Sequence, residues 1–337
     1  MTLRVRTRIR QALRSAGFRR ALRPVLGAVV LVGVIGQVGT GPFLRGILSL
    51  DGPTIGAALL LAAVATVAAS WRWQLIATRL GVPLRLSTAV GMYYQSQFLN
   101  TILPGGIVGD IRRAVDSGPS GTSVRPAARA VAVERVSGQV VQLALALVVL
   151  ACFGTEFEGY LLPALGFGFG IVVAGLAAAI ALSARARAVL LSEAHELRAG
   201  LGSLRTSLQV ALASVIVVGC HVATLTLATL AVGERMSGVR MITLALVILL
   251  GASIPLNIGG WGPREGIAGW AFAIAGSGAP AGVAASTLFG VLTILSIAPG
   301  ALVAAAVVAR LRRPESILVP HALDHALDHA LDQEETS

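Results

Sequence analysis

Long apolar runs alternate with short arginine-bearing connections along the chain, a pattern typical of helices that span a membrane. A spanning helix needs about 20 apolar residues to cross roughly 30 Å of hydrocarbon. Eight runs approach that length, one of them short, and they cover 25–43, 55–71, 131–153, 161–182, 208–231, 241–258, 267–279 and 281–309. The pattern predicts an all-α, polytopic membrane protein with about eight transmembrane helices.

Two further apolar stretches, at 89–113 and 251–266, are interrupted by glycine and proline. The interrupting residues include Pro104, Gly105, Gly106 and Gly109 in the first stretch and Pro255, Gly259 and Gly260 in the second. Broken backbone is tolerated at membrane depth only where it is buried in protein or lines a wet cavity. We therefore predict two re-entrant or half-helix segments. Their resemblance to each other suggests a central substrate site at a repeat interface, with a true inverted repeat as a hypothesis.

Composition excludes a soluble globular protein. The 337 residues are 55% hydrophobic and 13% charged, with a mean hydropathy of +0.81, whereas soluble domains carry about 25% charged residues. All 27 basic residues are arginine, and they concentrate at the N-terminus, at 72–130, at 183–207 and after the last run. Under the positive-inside rule this distribution predicts a multi-pass protein of the cytoplasmic membrane with both termini in the cytoplasm.

The ends of the chain differ from its middle. Residues 1–23 form a basic cytoplasmic segment that we interpret as a topogenic anchor rather than a nucleic-acid site. Residues 24–313 form the transmembrane domain, and 314–337 form a cytoplasmic tail with a repeated His-Ala-Leu-Asp tetrad. Three histidines on one helix face could bind a metal, but low-complexity expansion is the favoured interpretation. We expect no metal and no cofactor.

Charged groups near the membrane interior cost about 2.5–3.5 kcal/mol each on insertion scales, so they require a partner or a role. The candidates are Asp110, Arg112, Arg113, Glu134, Arg135, Arg264 and Glu265. If they converge on one cavity, one guanidinium remains free for a phosphate, and the glycine-rich turns add backbone N–H groups. Alternatively, Arg112 and Arg113 are topogenic, and Glu134 and Arg135 mark the end of a span.

Polar and aromatic residues complete the candidate site. Asn100 and Asn257 lie in the broken stretches, where each could bond loosened backbone or a ligand. Most of the aromatic residues at span ends, Trp73 and Tyr93 among them, are interpreted as interfacial anchors. The predicted headgroup-binding residues are Asn100, Pro104, Gly105, Gly106, Gly109, Asp110, Arg112, Glu134, Arg135, Asn257, Gly259, Gly260, Arg264 and Glu265.

Catalytic signatures are missing from the sequence. His221 is alone in the fifth run, with no nucleophile–base pair and no metal-ligand spacing around it. The phosphate-binding motif GxxxxGK[ST] cannot occur, because the chain has no lysine. An enzyme is therefore disfavoured.

Three motifs occur in a fixed order: Trp71-Arg72-Trp73 followed by Asn100-Thr-Ile-Leu-Pro-Gly-Gly-Ile-Val-Gly-Asp-Ile-Arg112, then Glu134-Arg135, then Ile254-Pro-Leu-Asn-Ile-Gly-Gly-Trp-Gly-Pro-Arg-Glu-Gly266. In this order and spacing they resemble the transmembrane domain of the lysylphosphatidylglycerol synthase family, also found as stand-alone flippase-like proteins. The resemblance covers roughly 20–312.

The resemblance implies an eight-helix domain with two re-entrant segments around a hydrophilic cavity, and a role in binding or moving phospholipid headgroups across the cytoplasmic membrane. By motif position, Asp110, Arg112, Glu134, Arg264 and Glu265 inherit that role. Pro263 and the Ile107-Val108 pair depart from the family pattern. Lysyl transfer in the family resides in a large soluble domain, which residues 314–337 are too few to form, so we expect no lysyltransferase activity.

The favoured function is thus a flippase-like protein whose partners are membrane lipids with an anionic phospholipid or isoprenyl-phosphate headgroup. One alternative is a membrane-embedded transferase or accessory subunit acting on a lipid-linked sugar or an aminoacyl-phospholipid. Another is a scaffold in a cell-envelope complex. We expect an envelope-biosynthesis enzyme or a second copy of the chain as the protein partner, and no nucleic acid.

Overall fold

A computed structural model of the chain describes residues 31–102, 107–118, 124–153, 159, 202–253 and 261–301. Helices contain 86% of these residues, and none of them lies in a strand. We number the helices of the described ranges in chain order. They are α1 Leu31–Val38, α2 Gly41–Leu48, α3 Gly52–Arg79, α4 Leu86–Ile102, α5 Val108–Ser117, α6 Arg125–Phe153, α7 Leu204–Ala231, α8 Gly238–Ala252, α9 Pro263–Ile274 and α10 Ala279–Ser296.

Four helical stretches in the described ranges are long and apolar enough to cross a membrane: α3, α6, α7 and Ala279–Ala301, which contains α10. The bent pair α1 and α2 would make a fifth. The prediction of an all-helical, multi-pass membrane protein is therefore confirmed, but the count of eight spans is not. The predicted span 161–182 and the end of the span at 281–309 lie outside the described residues.

The described part of the predicted span at 25–43 contains a sharp bend. Helix α1 ends at Val38, α2 begins at Gly41, and the two are bent by 96°. Gly39 lies between them at φ +74°, a left-handed conformation that glycine adopts at little steric cost. Hydropathy does not register such a bend, because both helices are apolar.

Helices α8 and α9 are shorter than the predicted spans 241–258 and 267–279. Helix α8 has 15 residues and α9 has 12, whereas a straight span needs about 20. Proline in the first turn of α9 provides a helix start, and Gly276 at φ +82° follows its end. These local signals limit the helices to shorter lengths than hydropathy alone predicts.

Both glycine- and proline-broken stretches contain a helix before and after the break. In the first, α4 ends at Ile102 and α5 begins at Val108. A side chain at Gly109 would collide with the backbone of Ser96, so this glycine allows α5 to lie against α4. In the second, α8 and α9 flank the break, and whether either segment is re-entrant stays a prediction.

Small residues bring the described helices close together around two larger buried apolar clusters and one smaller cluster at Ala146, Val218 and Leu246. Helix α3 packs against α7, α9 packs against α10, and α10 packs against α2. One buried apolar group joins α8, α9 and α10 and includes Ile248, Phe272 and Leu288. The other larger cluster joins α3, α4 and α6 and includes Trp73 and Ile76. Alanine and glycine at helix contacts permit this close approach in membrane bundles.

Candidate functional site

Glu134 is the centre of a buried ionic cluster between α3, α4, α5 and α6. Its side chain is 0% exposed. Oε1 accepts hydrogen bonds from Arg72 Nε at 3.1 Å and Tyr93 Oη at 3.2 Å, and Arg72 Nη2 also donates to it. Oε2 accepts from Arg113 Nη2 at 3.0 Å. We define the Glu134 cluster as Arg72, Tyr93, Asp110, Arg113, Glu134 and Arg135.

Arg72 connects this cluster to α7. Its Nη1 donates to Ser214 Oγ at 2.9 Å, so the guanidinium bonds to two helices besides its own. Gly138 lies one turn beyond Glu134 on α6, and a Cβ there would be 2.8 Å from Arg72 Nη1. The missing side chain therefore leaves the space that the guanidinium fills.

Arg113 is held between two aromatic rings. Its Cζ lies 4.5 Å from the ring centroid of Trp73 and 4.4 Å from that of Tyr93, a geometry in which the ring faces stabilise the cation. The side chain is 1% exposed, and its Nε and Nη1 are buried with no hydrogen-bond partner among the described residues. Arg113 is thus positioned by stacking, while part of its donor capacity stays unused.

Asp110 and Arg135 form the more exposed edge of the cluster. Arg135 Nη2 lies 2.6 Å from Asp110 Oδ2, and Ser96 Oγ donates to Asp110 Oδ1 at 3.0 Å. Arg113 Nη2 lies 3.4 Å from the same Oδ1. The Arg135 side chain is 49% exposed. Three guanidinium groups face two carboxylates, which leaves the cluster with a net charge of +1.

Two adjoining cavities lie against this cluster, with volumes of about 260 and 220 Å³. They share the wall residues Ala65, Gln97, Arg135 and His221. Arg72 and Tyr93 line the smaller cavity, and Asn100 lines the larger one. The positively charged edge of the Glu134 cluster therefore forms part of a polar cavity inside the helix bundle.

A second buried ion pair lies between α9 and α10. Arg264 Nη2 lies 2.6 Å from Glu265 Oε1, and Arg264 Nε donates to Ser286 Oγ at 3.0 Å. The backbone N–H of Gly262 donates to Glu265 Oε2 at 2.7 Å, which caps the start of α9. Trp261 and Phe289 lie beside the guanidinium, at 5.6 and 5.3 Å from its Cζ. We call these residues the Glu265 cluster; it is electrically neutral.

An aromatic contact connects the Glu265 cluster to the cavities. Phe289 packs edge-to-face on His221, with ring centroids 6.4 Å apart. His221 lines both cavities, whereas neither Arg264 nor Glu265 is among the described residues that line them. The Glu265 cluster therefore lies behind the cavity wall.

The seven charged residues expected to converge are divided between two places and one exposed face. Asp110, Arg113, Glu134 and Arg135 come together, Arg264 and Glu265 form their own pair, and Arg112 pairs with Asp116 at 3.2 Å, where it is 34% exposed. The assignment of all of these except Arg113 as headgroup ligands stays a prediction.

The remaining residues of the predicted site differ in position. Asn100 Oδ1 accepts a hydrogen bond from the Gly109 N–H at 2.8 Å, so this asparagine bonds backbone beside the break and also lines the larger cavity. The other members lie outside the described residues: Pro104, Gly105, Gly106, Asn257, Gly259 and Gly260.

Sequence reasoning missed Arg72. The predicted span ended at residue 71, so Arg72 was counted among the cytoplasmic arginines, whereas α3 continues to Arg79 and buries it. The interfacial interpretation is also wrong for Trp73, which is 0% exposed. The two flanking tryptophans were no signal for its burial, because Trp73 stacks on Arg113 and residues adjacent along a helix do not face each other.

Comparison with known proteins gives one relationship. No curated protein and no solved structure matches the chain significantly. A family model described as the lysylphosphatidylglycerol synthase TM region matches residues 20–300. This match covers most of the chain and contains both ionic clusters, and we conclude that the chain belongs to the family of lysylphosphatidylglycerol synthase TM regions.

Proposed function

We propose that the protein is a lipid flippase that binds an anionic headgroup at the Glu134 cluster and moves it through the adjoining cavities. The observation that carries this proposal is the net charge of +1 on the Glu134 cluster, whose half-exposed member Arg135 lies in the wall of a polar cavity inside a bundle of membrane-spanning helices. Membership of a membrane-lipid family supports the lipid as cargo. From the arginine distribution we also place the protein in the cytoplasmic membrane with cytoplasmic termini.

The charge balance of the cluster supports an anionic ligand. Two of its three guanidinium charges are compensated by Glu134 and Asp110, and a phosphodiester would compensate the third. Arg135 is the accessible member, because its side chain is half exposed and lines both cavities. A planar guanidinium can offer a phosphate two parallel N–H donors. Phospholipid and isoprenyl-phosphate headgroups both carry this group.

The contacts of the Glu134 and Asp110 carboxylates favour lipid transport over a catalysed group-transfer reaction. A general base must be able to accept a proton from its substrate. Both oxygens of Glu134 and both oxygens of Asp110 already contact arginine or hydroxyl groups. Because their acceptor sites are occupied by positively charged partners, these groups support binding and positioning better than base catalysis.

The test is lipid movement in proteoliposomes. Liposomes receive acyl-chain-labelled fluorescent lipid and purified protein, and dithionite destroys the label in the outer leaflet. We expect wild-type protein to expose the protected inner pool of an anionic lipid. Arg135→Gln should slow this exposure about tenfold, because the substitution removes one charge-assisted contact to the headgroup.

Arg205→Gln is the matched control. Arg205 is exposed at the start of α7, outside both cavity walls, and its substitution makes the same change in net charge. Movement at the wild-type rate is expected. If wild-type protein moves neither phospholipids nor polyprenyl phosphate, the flippase proposal is wrong, and a transferase or accessory role takes its place.

A further inference from the structure

Three glutamine side chains line the smaller cavity beside the two arginines. Gln97 comes from α4, and Gln139 and Gln142 come from α6. Gln139 makes no hydrogen bond within the described part of the chain. The bonds of the other two, from Thr66 Oγ1 to Gln97 and from Gln142 to Ser253 Oγ, are both 3.4 Å long. Since each amide has two donors and an acceptor, the contacts within the described residues leave most of this capacity unused.

The register of α6 places the amides in line with Arg135. Positions 135, 139 and 142 are separated by four and then three residues, so they lie on one helix face. At 1.5 Å per residue, Gln139 lies about 6 Å and Gln142 about 10 Å along the axis from Arg135. A ligand with its phosphate at Arg135 that enters the smaller cavity along α6 would pass both amides.

The chemistry of this wall discriminates among headgroups. Hydroxyl groups can both donate to and accept from an amide, whereas a bare phosphate monoester leaves the amides without partners. An ammonium group would meet Arg72 and Arg135, and no carboxylate is among the described residues of either cavity wall. The wall thus matches negative charge at one end and neutral hydroxyls at the other.

We infer that the ligand is an anionic glycerophospholipid whose headgroup carries free hydroxyls, such as a glycerol or an inositol. This inference rests on the proposed function and makes its substrate class specific. It also separates the chain from the lipid in its family's name. Lysylphosphatidylglycerol bears an ammonium-rich lysyl ester on a headgroup hydroxyl, and both features conflict with the arginines and amides of the wall.

Lipid retention in detergent tests the headgroup class without requiring transport. The full chain is incubated with an equimolar mixture of phosphatidylglycerol, phosphatidic acid, phosphatidylethanolamine and lysylphosphatidylglycerol, repurified, and its bound lipids are counted by mass spectrometry. We expect phosphatidylglycerol to be retained about tenfold over each of the others, the scale of one or two hydrogen bonds left unmade. Equal retention of phosphatidic acid, or preference for the lysyl lipid, overturns the inference.

Glutamine variants test which side chains bind the headgroup hydroxyls. Gln139→Leu with Gln142→Leu should abolish the preference for phosphatidylglycerol over phosphatidic acid and leave total anionic lipid unchanged. Gln209→Leu is the control, because Gln209 is half-buried on α7 and lines neither cavity; it should keep the preference. A preference that survives in the double variant also overturns the inference.

The same lipids are then compared in the liposome assay, so that the two proposals fail separately. Selective retention with no lipid movement contradicts the flippase and leaves the headgroup class standing. Movement of all lipids at one rate, without selective retention, contradicts the headgroup class and leaves the flippase standing.

Discussion

The Glu134 and Glu265 clusters contain the same kinds of side chain but differ in net charge and in their access to the cavities. Each has a fully buried glutamate, an arginine flanked by two aromatic rings, and a serine bonded to a guanidinium. The Glu265 cluster is a one-to-one pair, and its carboxylate caps α9. The Glu134 cluster has three arginines against two carboxylates and adjoins the cavities. Surplus charge and an open wall, rather than burial of charge alone, therefore distinguish the candidate binding site.

Removal of the central carboxylate should have the largest effect. Glu134→Gln leaves Arg72 and Arg113 buried against a neutral group. Breaking a buried ion pair in this way costs about 3–5 kcal/mol of unfolding free energy. Thermal unfolding in detergent measures this loss. Asp116→Asn is the control, since its pair with Arg112 is exposed and such pairs contribute about 0–1 kcal/mol. Equal stability of the two variants would contradict the central role of Glu134.

Substitutions of the adjacent residues Arg112 and Arg113 on α5 should give the next largest difference in stability and lipid movement. Arg113→Gln removes a desolvated cation stacked on two rings, which we expect to cost about 2–3 kcal/mol of unfolding free energy and to slow lipid movement. Arg112→Gln should change stability by less than about 0.5 kcal/mol and leave movement intact. The liposome assay and thermal unfolding of both variants check this. Loss of movement in Arg112→Gln alone would instead support the sequence-based assignment.

Overpacking should affect both clusters to a smaller extent. A Cβ at Gly138 would press on Arg72, and a Cβ at Gly290 would lie 3.3 Å from Arg264 Cζ. Each Gly→Ala substitution should cost about 1–3 kcal/mol of unfolding free energy. Only Gly138→Ala should also slow lipid movement, because Gly138 lines the smaller cavity. Gly219→Ala is the control: its Cβ would meet no described atom within 4 Å, so helix propensity should make it neutral or stabilising.

Joint neutralisation of the Glu265 cluster should have the smallest effect. Arg264→Met with Glu265→Gln removes both charges and keeps an acceptor for the Gly262 N–H, so unfolding free energy should stay within about 1 kcal/mol of wild type. Lipid movement should persist. The equivalent double variant Arg113→Met with Glu134→Gln should lose movement even where it folds. Loss of lipid movement in the Arg264–Glu265 double variant would indicate that the headgroup binds at that pair instead.

The elements that depend on local composition were predictable from the sequence. The runs at 55–71, 131–153 and 208–231 fall within α3, α6 and α7, because about 20 consecutive apolar residues suffice to identify a helix in lipid. The run at 267–279 was expected to be short, as α9 is. The bend at Gly39 and the end of α8 at Ala252 were not predicted, since hydropathy averages over turns that interrupt an apolar run.

The site was predictable only in part. Asp110, Glu134 and Arg135 were identified because charges inside apolar segments are costly. The choice between Arg112 and Arg113 was missed, because it depends on which side of α5 faces α4 and α6. Arg72 was missed because its partner Glu134 lies 62 residues away along the chain, a distance that no local pattern encodes.

Local composition is enough to identify a helical membrane protein and the charges that it must compensate, since composition and apolar length decide how a segment partitions into lipid. Which charges compensate one another depends on the packing of the helices. Helix packing selects one face of each helix, so it brought Arg72 and Arg113 to Glu134, directed Arg112 outward and closed Arg264 onto Glu265. The surplus charge at the cavity is a consequence of that selection.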